Sequence, residues 1–480
     1  MKHYAYRLLP ALLGAVLAAC AIPQRLTPPP KPRPLPSISA NARTALKNHV
    51  AADMPWPHRQ WWRMFNDPEL DRLVRQALHN NPDMALAAAR LDIARTDVAR
   101  AKAELGTSFA LNGGINRQRL STNGLFPPPI GGETVTEEQL SIDAHREIDW
   151  WHRDRDLIQA AVSNEQAQRA QRAQARLLLE QALITTYFRF ARDERQVALL
   201  RTLYHHDQSL LRIAQTALNA GATSAMPVVR AEAGLAEARE QVFSYQARSR
   251  IDRIALAALA GRGPDWARHL KAPAAYYNSP APLPRHLALD LLARRPDVVV
   301  RYWLLRAAAA RVHAAKAGFY PNISLTASAG LDTLTLAKLL EPSSLMASAG
   351  AAIHLPLFMP GALKADLGRA RSQYDAAVDQ YNRTVINAAR EVGEQLTTLR
   401  ALKRELAAQY RVIDAQAQEL RIARTRYQAG SAGIAALFRS ENRWIESQLQ
   451  TNMLGTRRLD AVARLMEALG GGYQEHETPT

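Results

Sequence analysis

Two series of apolar residues run along the chain at a seven-residue spacing. The first is Leu183, Phe190, Val197, Tyr204, Leu211 and Leu218. The second is Val378, Val385, Val392, Leu399, Leu406, Ile413, Leu420 and Tyr427. They superpose at an offset of 209 residues, Leu183 on Val392 and Leu218 on Tyr427. A sustained heptad predicts helices packed side by side along a coiled-coil-like seam. No proline interrupts 153–219 or 362–428. At ~1.5 Å per residue each segment could run roughly 100 Å, longer than a globular helix or a bilayer. The faces are too polar for lipid and suit a long water-exposed tube. Gly221 and Gly430 follow the two series and predict left-handed stops. Return helices are expected from about Pro227 to Ala260 and from about Ile434 to Leu469, with Pro227 suited to a first turn.

Other stretches alternate small or apolar with polar residues, as barrel strands do. "SFALNGGINRQRL" and "TVTEEQLSIDAHREI" flank an irregular loop, and "NISLTASAGL" and "LMASAGAAIHLPLF" flank another. The expected hairpins span about 107–149 and 321–358. Four strands cannot close a barrel, and lipid tolerates no open sheet edge. If these strands enter a membrane, several chains must complete the barrel.

The helix–hairpin unit occurs twice. Pro82-Asp83 pairs with Pro296-Asp297, Ala103 with Ala317 and Leu111 with Leu325 at an offset of 214. Gly221, Arg230, Glu232, Gly261 and Gly263 pair with Gly430, Arg439, Glu441, Gly470 and Gly472 at 209. The five-residue difference falls where the strands and loops lie, the positions that tolerate length changes. The repeats are expected over 56–284 and 285–472, with a tail at 473–480.

Composition sharpens this reading. The chain is light in aromatics and rich in Ala, Arg, Gln and Leu, a mix that long helices favour. Its formal charge is +17, but the arginines interleave with Glu, Asp and Gln and form no compact basic-aromatic patch. Solvated helix faces account for the charge, and no nucleic-acid partner is expected. Lys2 and Arg7 precede a short apolar run, Leu8 to Leu17, followed by Ala18, Ala19 and the sole cysteine, Cys20. This resembles a lipoprotein signal peptide over 1–19, with Cys20 as the lipid attachment site. The Pro-rich stretch over 20–55 reads as an extended tether, and by resemblance to Gram-negative lipoproteins Ala21 after the cysteine implies sorting to the outer membrane.

No catalytic constellation emerges. A single cysteine in the leader junction leaves none for a nucleophile or a thiolate zinc site in the body. His205-His206-Asp207 reads as a solvated patch, since adjacent helical positions face different ways. Gly470-Gly471-Gly472 ends a helix rather than cradling phosphate. Glu137-Glu138 lies in a strand candidate with nothing to suggest hydrolysis. No enzyme activity, cofactor or metal is expected.

Together these features resemble outer-membrane factors of tripartite efflux pumps, the TolC-like channels, in their lipoprotein branch. The resemblance rests on the lipobox at Cys20, "WWRMFNDPELDRLVRQAL" at 61–78, "LARRPDV" at 292–298, "AAKAGFYPNISL" at 314–325, "LPLFMPGALKADLGRARSQYDAAVDQY" at 355–381 and "EALGGGYQ" at 467–474. With the repeat they cover nearly the whole mature chain. The resemblance implies an α+β membrane protein with four transmembrane strands and long antiparallel helices per chain. Three chains would form a 12-stranded barrel and a 12-helix periplasmic tunnel. An equatorial belt would lie near the termini and around Trp266–Pro284. The homotrimer would sit in outer-membrane lipid and work passively with a periplasmic adaptor and an inner-membrane transporter. Small-molecule efflux is the leading role. A type I secretion channel and a periplasmic coiled-coil scaffold are the alternatives.

Two departures stand in this sequence. "DWWHRDRD" at 149–156 replaces the usual Asp-Leu-Trp-Gly-Arg text. Trp150-Trp151 suits an interfacial girdle or internal packing equally. Many relatives carry aspartates after the tip glycine. Here Pro227 and Arg230 follow Gly221, and Ala436 and Arg439 follow Gly430. Arg230 and Arg439 are candidates for a basic constriction suited to anionic aromatic cargo. Surface pairing with Glu232 or Glu441 is the alternative.

Overall fold

The computed structural model describes residues 30–32, 57–124, 129–271, 294–355 and 360–474. Cys20, the leader, nearly all of the tether and residues 272–293 lie outside that set, as does the second part of the expected Trp266–Pro284 belt. In chain order the elements are α1 (Pro68–Asn80), α2 (Pro82–Glu104), β1 (Ser108–Arg119), β2 (Thr134–Ile148), α3 (Arg153–Asn219) and α4 (Met226–Leu259). Then follow α5 (Pro296–Ala317), β3 (Asn322–Thr333), β4 (Leu345–His354), α6 (Pro360–Gln428) and α7 (Ile434–Ala468). Helix, hairpin, long helix and return helix thus recur in the same order. No described helix is long and apolar enough to cross a membrane.

The chain divides into two compact units. Residues 90–168 and 301–381 supply the body of one, which holds the sheet. The described residues within 169–300 and 382–474, with 57–89, supply the other.

The second unit has the larger core. Trp61, Trp62 and Phe65 form a short 3-10 turn whose rings are buried, and Leu70, Leu73, Val74 and Ala77 follow on one face of α1. They pack with Leu183, Tyr187, Phe188 and Phe190 of α3 and with Val462, Leu465 and Met466 of α7. Phe65 meets Phe188 edge-on with centroids 4.8 Å apart. Each such large side chain contributes about 1.5–3 kcal/mol on burial. Asp67 caps α1, accepting from the amides of Glu69 (2.9 Å) and Leu70 (3.1 Å), and it also accepts from Tyr187 Oη at 2.8 Å. The cap therefore ties α1 to the long helix.

The heptad residues of α3 and α6 turn inward, but not evenly. Leu183, Phe190, Val385 and Val392 are fully buried, whereas Leu211, Leu218 and Ile413 are half-buried and Tyr427 is exposed. In α3 the seam is driest near the main core and opens toward Gly221, whereas in α6 Leu420 is still buried ahead of the exposed Tyr427.

A clasp holds each repeat closed, and it is built twice. In the first repeat Asn81 Nδ2, just before α2, donates to Leu259 O at the end of α4 (2.9 Å). In the second, Arg295 Nη1, just before α5, donates to Ala468 O at the end of α7 (2.9 Å). These positions correspond under the two offsets. The glycines beyond each return helix correspond too. Gly261 (φ +68°) lies against the Asn80 carbonyl and Gly470 (φ +87°) against that of Arg294, so close that a Cβ at either would collide with it. Gly471 and Gly472 also have positive φ and would collide with Leu177 and with the His58 backbone. The triple glycine does end a helix, as expected, and it is also the point where three segments meet. Only glycine tolerates both the left-handed backbone and the contact. Arg295 goes further than Asn81. It is buried, with Nε 3.0 Å from Asp297 and Nη2 2.8 Å from Glu391 of α6.

Glu180 of α3 is 2% exposed. It accepts from Trp61 Nε1 (3.1 Å) and Arg176 Nε (2.7 Å), yet burial outweighs both and pushes its carboxyl up to about 7.

Two predictions follow from this packing. Gly470→Ala should lose about 3 kcal/mol from left-handed strain plus collision, seen as a lower Tm. Gly368→Ala, in an open stretch of α6 with no atom near the added Cβ, should gain about 0.5–1 kcal/mol. Equal effects of the two would refute the clasp. Glu180 has a raised folded pKa, so its stabilising contribution is complete below its ordinary value of 4.5 and is lost as the pH climbs through 7. Glu180→Gln never ionises. Its stability relative to the parent should therefore rise between pH 5 and 8, by up to about 3 kcal/mol. A pH-independent difference in melting would show that Glu180 does not titrate there.

Candidate functional site

β1, β2, β3 and β4 form one antiparallel sheet in that order. The register sorts its side chains by polarity. Phe109 pairs with Ala144, Leu111 with Ile142 and Gly113 with Leu140. The same face continues through Leu140–Leu331, Ile142–Ala329, Ala144–Ala327 and Ile148–Ile323. It ends in Leu331–Leu345, Ala329–Ala347, Ala327–Ala349, Leu325–Ala351 and Ile323–Ile353. Arg146 is the one charge within this band, near its lower edge, and donates to Thr107 Oγ1 at 3.0 Å. The opposite face carries Ser108, Asn112, Asn116, Glu137, Gln139, Ser141, Asp143, His145, Ser324, Thr326, Ser328, Asp332 and Ser348. Asp143 Oδ2 there accepts from Asn112 Nδ2 (2.5 Å) and Ser141 Oγ (3.0 Å).

A two-residue period puts one chemistry on each face. The large apolar residues Phe109, Leu111, Ile115, Leu345 and Ile353 are all exposed. From Ile323 to Leu331, at ~3.3 Å per residue and a tilt near 40°, the band is about 20–25 Å tall, the height of a lipid-facing girdle. Above it the same face carries Arg117, Arg119, Thr136 and Glu138. The sheet therefore has one face for hydrocarbon and one for water.

The sheet is open on both sides. β1 pairs only with β2 and β4 only with β3 among the described residues. Among the described residues two rows of backbone donors and acceptors have no partner, a condition lipid does not allow.

In the other unit the glycine stops take one geometry twice. Gly221 (φ +69°) and Gly430 (φ +70°) are left-handed. Gly221 N donates to Leu218 O (2.9 Å) and Ala222 N to Ala217 O (2.9 Å). Gly430 N donates to Tyr427 O (3.0 Å) and Ser431 N to Arg426 O (2.9 Å). These are Schellman turns. Arg230 on α4 and Arg439 on α7 follow them, both exposed. Arg439 Nε donates to its own helix at Ala435 O (3.1 Å), and neither arginine forms an ion pair among the described residues. Glu441 instead pairs with Arg424 (3.3 Å) and faces His206 Nε2 (3.4 Å).

His205-His206-Asp207 departs from the expected solvated patch. Only His205 is exposed. His206 stacks on Phe438, with Nδ1 3.0 Å from Asn442 Oδ1, and Asn442 Nδ2 donates to Asp207 at 2.8 Å. Burial pushes the Asp207 carboxyl up. Facing positions on α7, remote in sequence, turn the patch into a polar seam between two helices. Trp150 and Trp151 divide the two roles open to them. Trp151 stacks on Tyr320 (4.4 Å) and donates to Pro321 O (2.9 Å), whereas Trp150 is 65% exposed.

A two-faced open sheet carried with paired long helices defines a section of the wall of an outer-membrane channel. The chain belongs to the outer membrane efflux protein family, whose model matches residues 73–262 and 287–471, one match per repeat. It is 28% identical to the multidrug resistance outer membrane protein MdtP of Escherichia coli K12 over 434 residues, 89% of this chain and 88% of that one. It is 27% identical to the putative multidrug resistance outer membrane protein MdtQ of Shigella flexneri, over 92% of each. Among solved structures, the outer membrane protein VceC of Vibrio cholerae superposes with a TM-score of 0.77 at 27% identity, covering 87% of this chain and all of that one. The CmeC outer membrane channel of Campylobacter jejuni shares the fold, with a TM-score of 0.82 at 20% identity over 96% of each.

The two faces give a test at adjacent positions of β4. Ala349→Arg, within the apolar band, should cost about 2–4 kcal/mol and reduce membrane insertion. Ser348→Arg, on the polar face, should insert as the parent does. Equal insertion of the two in a liposome-folding assay would contradict the assignment of faces.

Proposed function

We propose that three copies of this chain pair their open edges, β4 of one with β1 of the next, into a 12-stranded barrel. Their paired long helices form a 12-helix periplasmic tunnel. The observation that carries this reading is the amphipathic sheet with two unpaired edges. In hydrocarbon it is stable only when closed, and three chains supply the strands for a barrel with an aqueous lumen. A coiled-coil scaffold has no use for such a sheet.

The channel is passive. A periplasmic adaptor docks it to an inner-membrane transporter, which drives small-molecule drugs through it to the exterior. Relatives named for multidrug resistance favour small-molecule efflux over type I protein secretion. Cys20 is the lipid attachment site, adding an anchor to a barrel already held by its band. Gly221 and Gly430 form the periplasmic tips, and Arg230 and Arg439 line a basic constriction there. Their exposure, and the absence of an ion pair to either among the described residues, support this role.

Planar-bilayer recording of the purified full chain is the test. Discrete trimer-sized pores are expected, and a protein that never forms pores would sink the reading. Arg230→Glu with Arg439→Glu should move the reversal potential toward cation preference. Unchanged selectivity would remove the constriction and leave the channel. Intact mass of the same preparation should show acylation beginning at Cys20, and an unmodified mature chain would remove the anchor.

A further inference from the structure

The strand–helix junctions of the first unit meet at a cleft of about 300 Å³. The end of β2, the start of α3, the turn from α5 into β3 and the first part of α6 all contribute to it. Glu147, Asn322 and His354 line it and belong to the polar face of the sheet, so the cleft lies at the root of that face. Its wall carries four carboxylates, Glu147, Asp149, Asp154 and Asp366, against the guanidinium of Arg153. The whole chain is basic, at +17. The local sign is therefore reversed.

These carboxylates are not alike. Asp149 caps α3, accepting from the amides of Asp154 and Arg155, each at 3.0 Å. Asp154 is 7% exposed and lines the cleft, and its carboxylate accepts no hydrogen bond among the described residues. Burial, then Asp149 and Glu147, push its carboxyl up, and Arg153 opposes them. A largely buried carboxylate short of protein donors is stabilised by a cation that reaches it through the cleft. A metal ion does not suit the site. Among the described residues no three His, Cys, Asp or Glu side chains are placed to hold one. The aromatic surface suits a larger cation. Trp151, backed by Tyr320, and the exposed Trp150 both border the cleft, and indole is the strongest of the aromatic partners for an ammonium group.

We propose that this cleft binds an organic ammonium ion, its charge against Asp154 and its apolar body on Trp150 and Trp151. The inference deepens the channel reading by naming a class of solute that the wall retains. Such a site favours organic cations at the sheet's root, while the arginines beyond the helical tips are suited to anions.

Calorimetric titration of the full chain in neutral detergent tests it, with benzylammonium as probe and benzyl alcohol as its neutral counterpart. Benzylammonium should bind at least about fivefold more tightly than benzyl alcohol. Asp154→Asn and Asp366→Asn should each erase at least about half of that preference. Asp366 is exposed, so its variant keeps the test valid if loss of Asp154 unsettles the start of α3. Equal binding of the two probes, or a preference unmoved in both variants, overturns the site. Pores formed by the same preparation without ammonium preference overturn this inference alone. Ammonium preference without pores supports the cleft and overturns the channel reading.

Discussion

In hydrocarbon, a backbone N–H or C=O without a partner costs several kcal/mol. The sheet presents one row of such groups along β1 and another along β4. No side chain can satisfy a whole strand edge, so the remedy must be another strand. The apolar band makes the constraint binding, because it places those edges in lipid rather than water. In the proposed barrel, oligomerisation is then a condition of folding in the membrane, and the lumen is its by-product. The polar face needs water on its side as firmly as the apolar face needs lipid.

The helical part solves a different problem. A long helix has little core of its own, and most of its stability comes from an apolar stripe packed on a neighbour. The heptads supply the stripe, and the Schellman turns return the chain onto it. The clasps at Asn81 and Arg295 then fix where each return helix ends. Burial along the seam is uneven, complete near Phe190 and Val392 and partial near Leu218 and Tyr427. Toward Gly221 the α3 stripe is therefore the less tightly held part of the seam, and elements that move belong at a weakly held end.

Much of this was legible in the sequence. Helix lengths followed from the absence of proline, the turns from Gly221 and Gly430, and the duplication from two offsets. The open sheet followed from counting four strands. What remained hidden depends on pairing across long sequence distances. The alternation in any one strand is weak, since Gly113, Ala327 and Ala349 say little alone. Register stacks them beside Leu140, Ile142 and Leu345 and produces a face. The seam at His206 needs Asn442 from a helix more than two hundred residues away. The triple glycine read as a helix end because a sequence does not show what lies against a missing Cβ. The cleft at Asp154 had one signal, the cluster of acids around Trp150-Trp151, and a run of charges does not show which of its members is buried.

The clasps repeat in backbone but not in charge. Asn81 makes its bond as a neutral amide. Arg295 makes the equivalent bond while neutralising Asp297 and Glu391. Duplication has thus left two halves that share a shape and differ in dielectric response. Around the proposed ring of three chains the geometry approaches sixfold symmetry, while the electrostatics repeats only three times. A change in salt would act on the charged clasp and leave the bond made by the neutral amide nearly untouched.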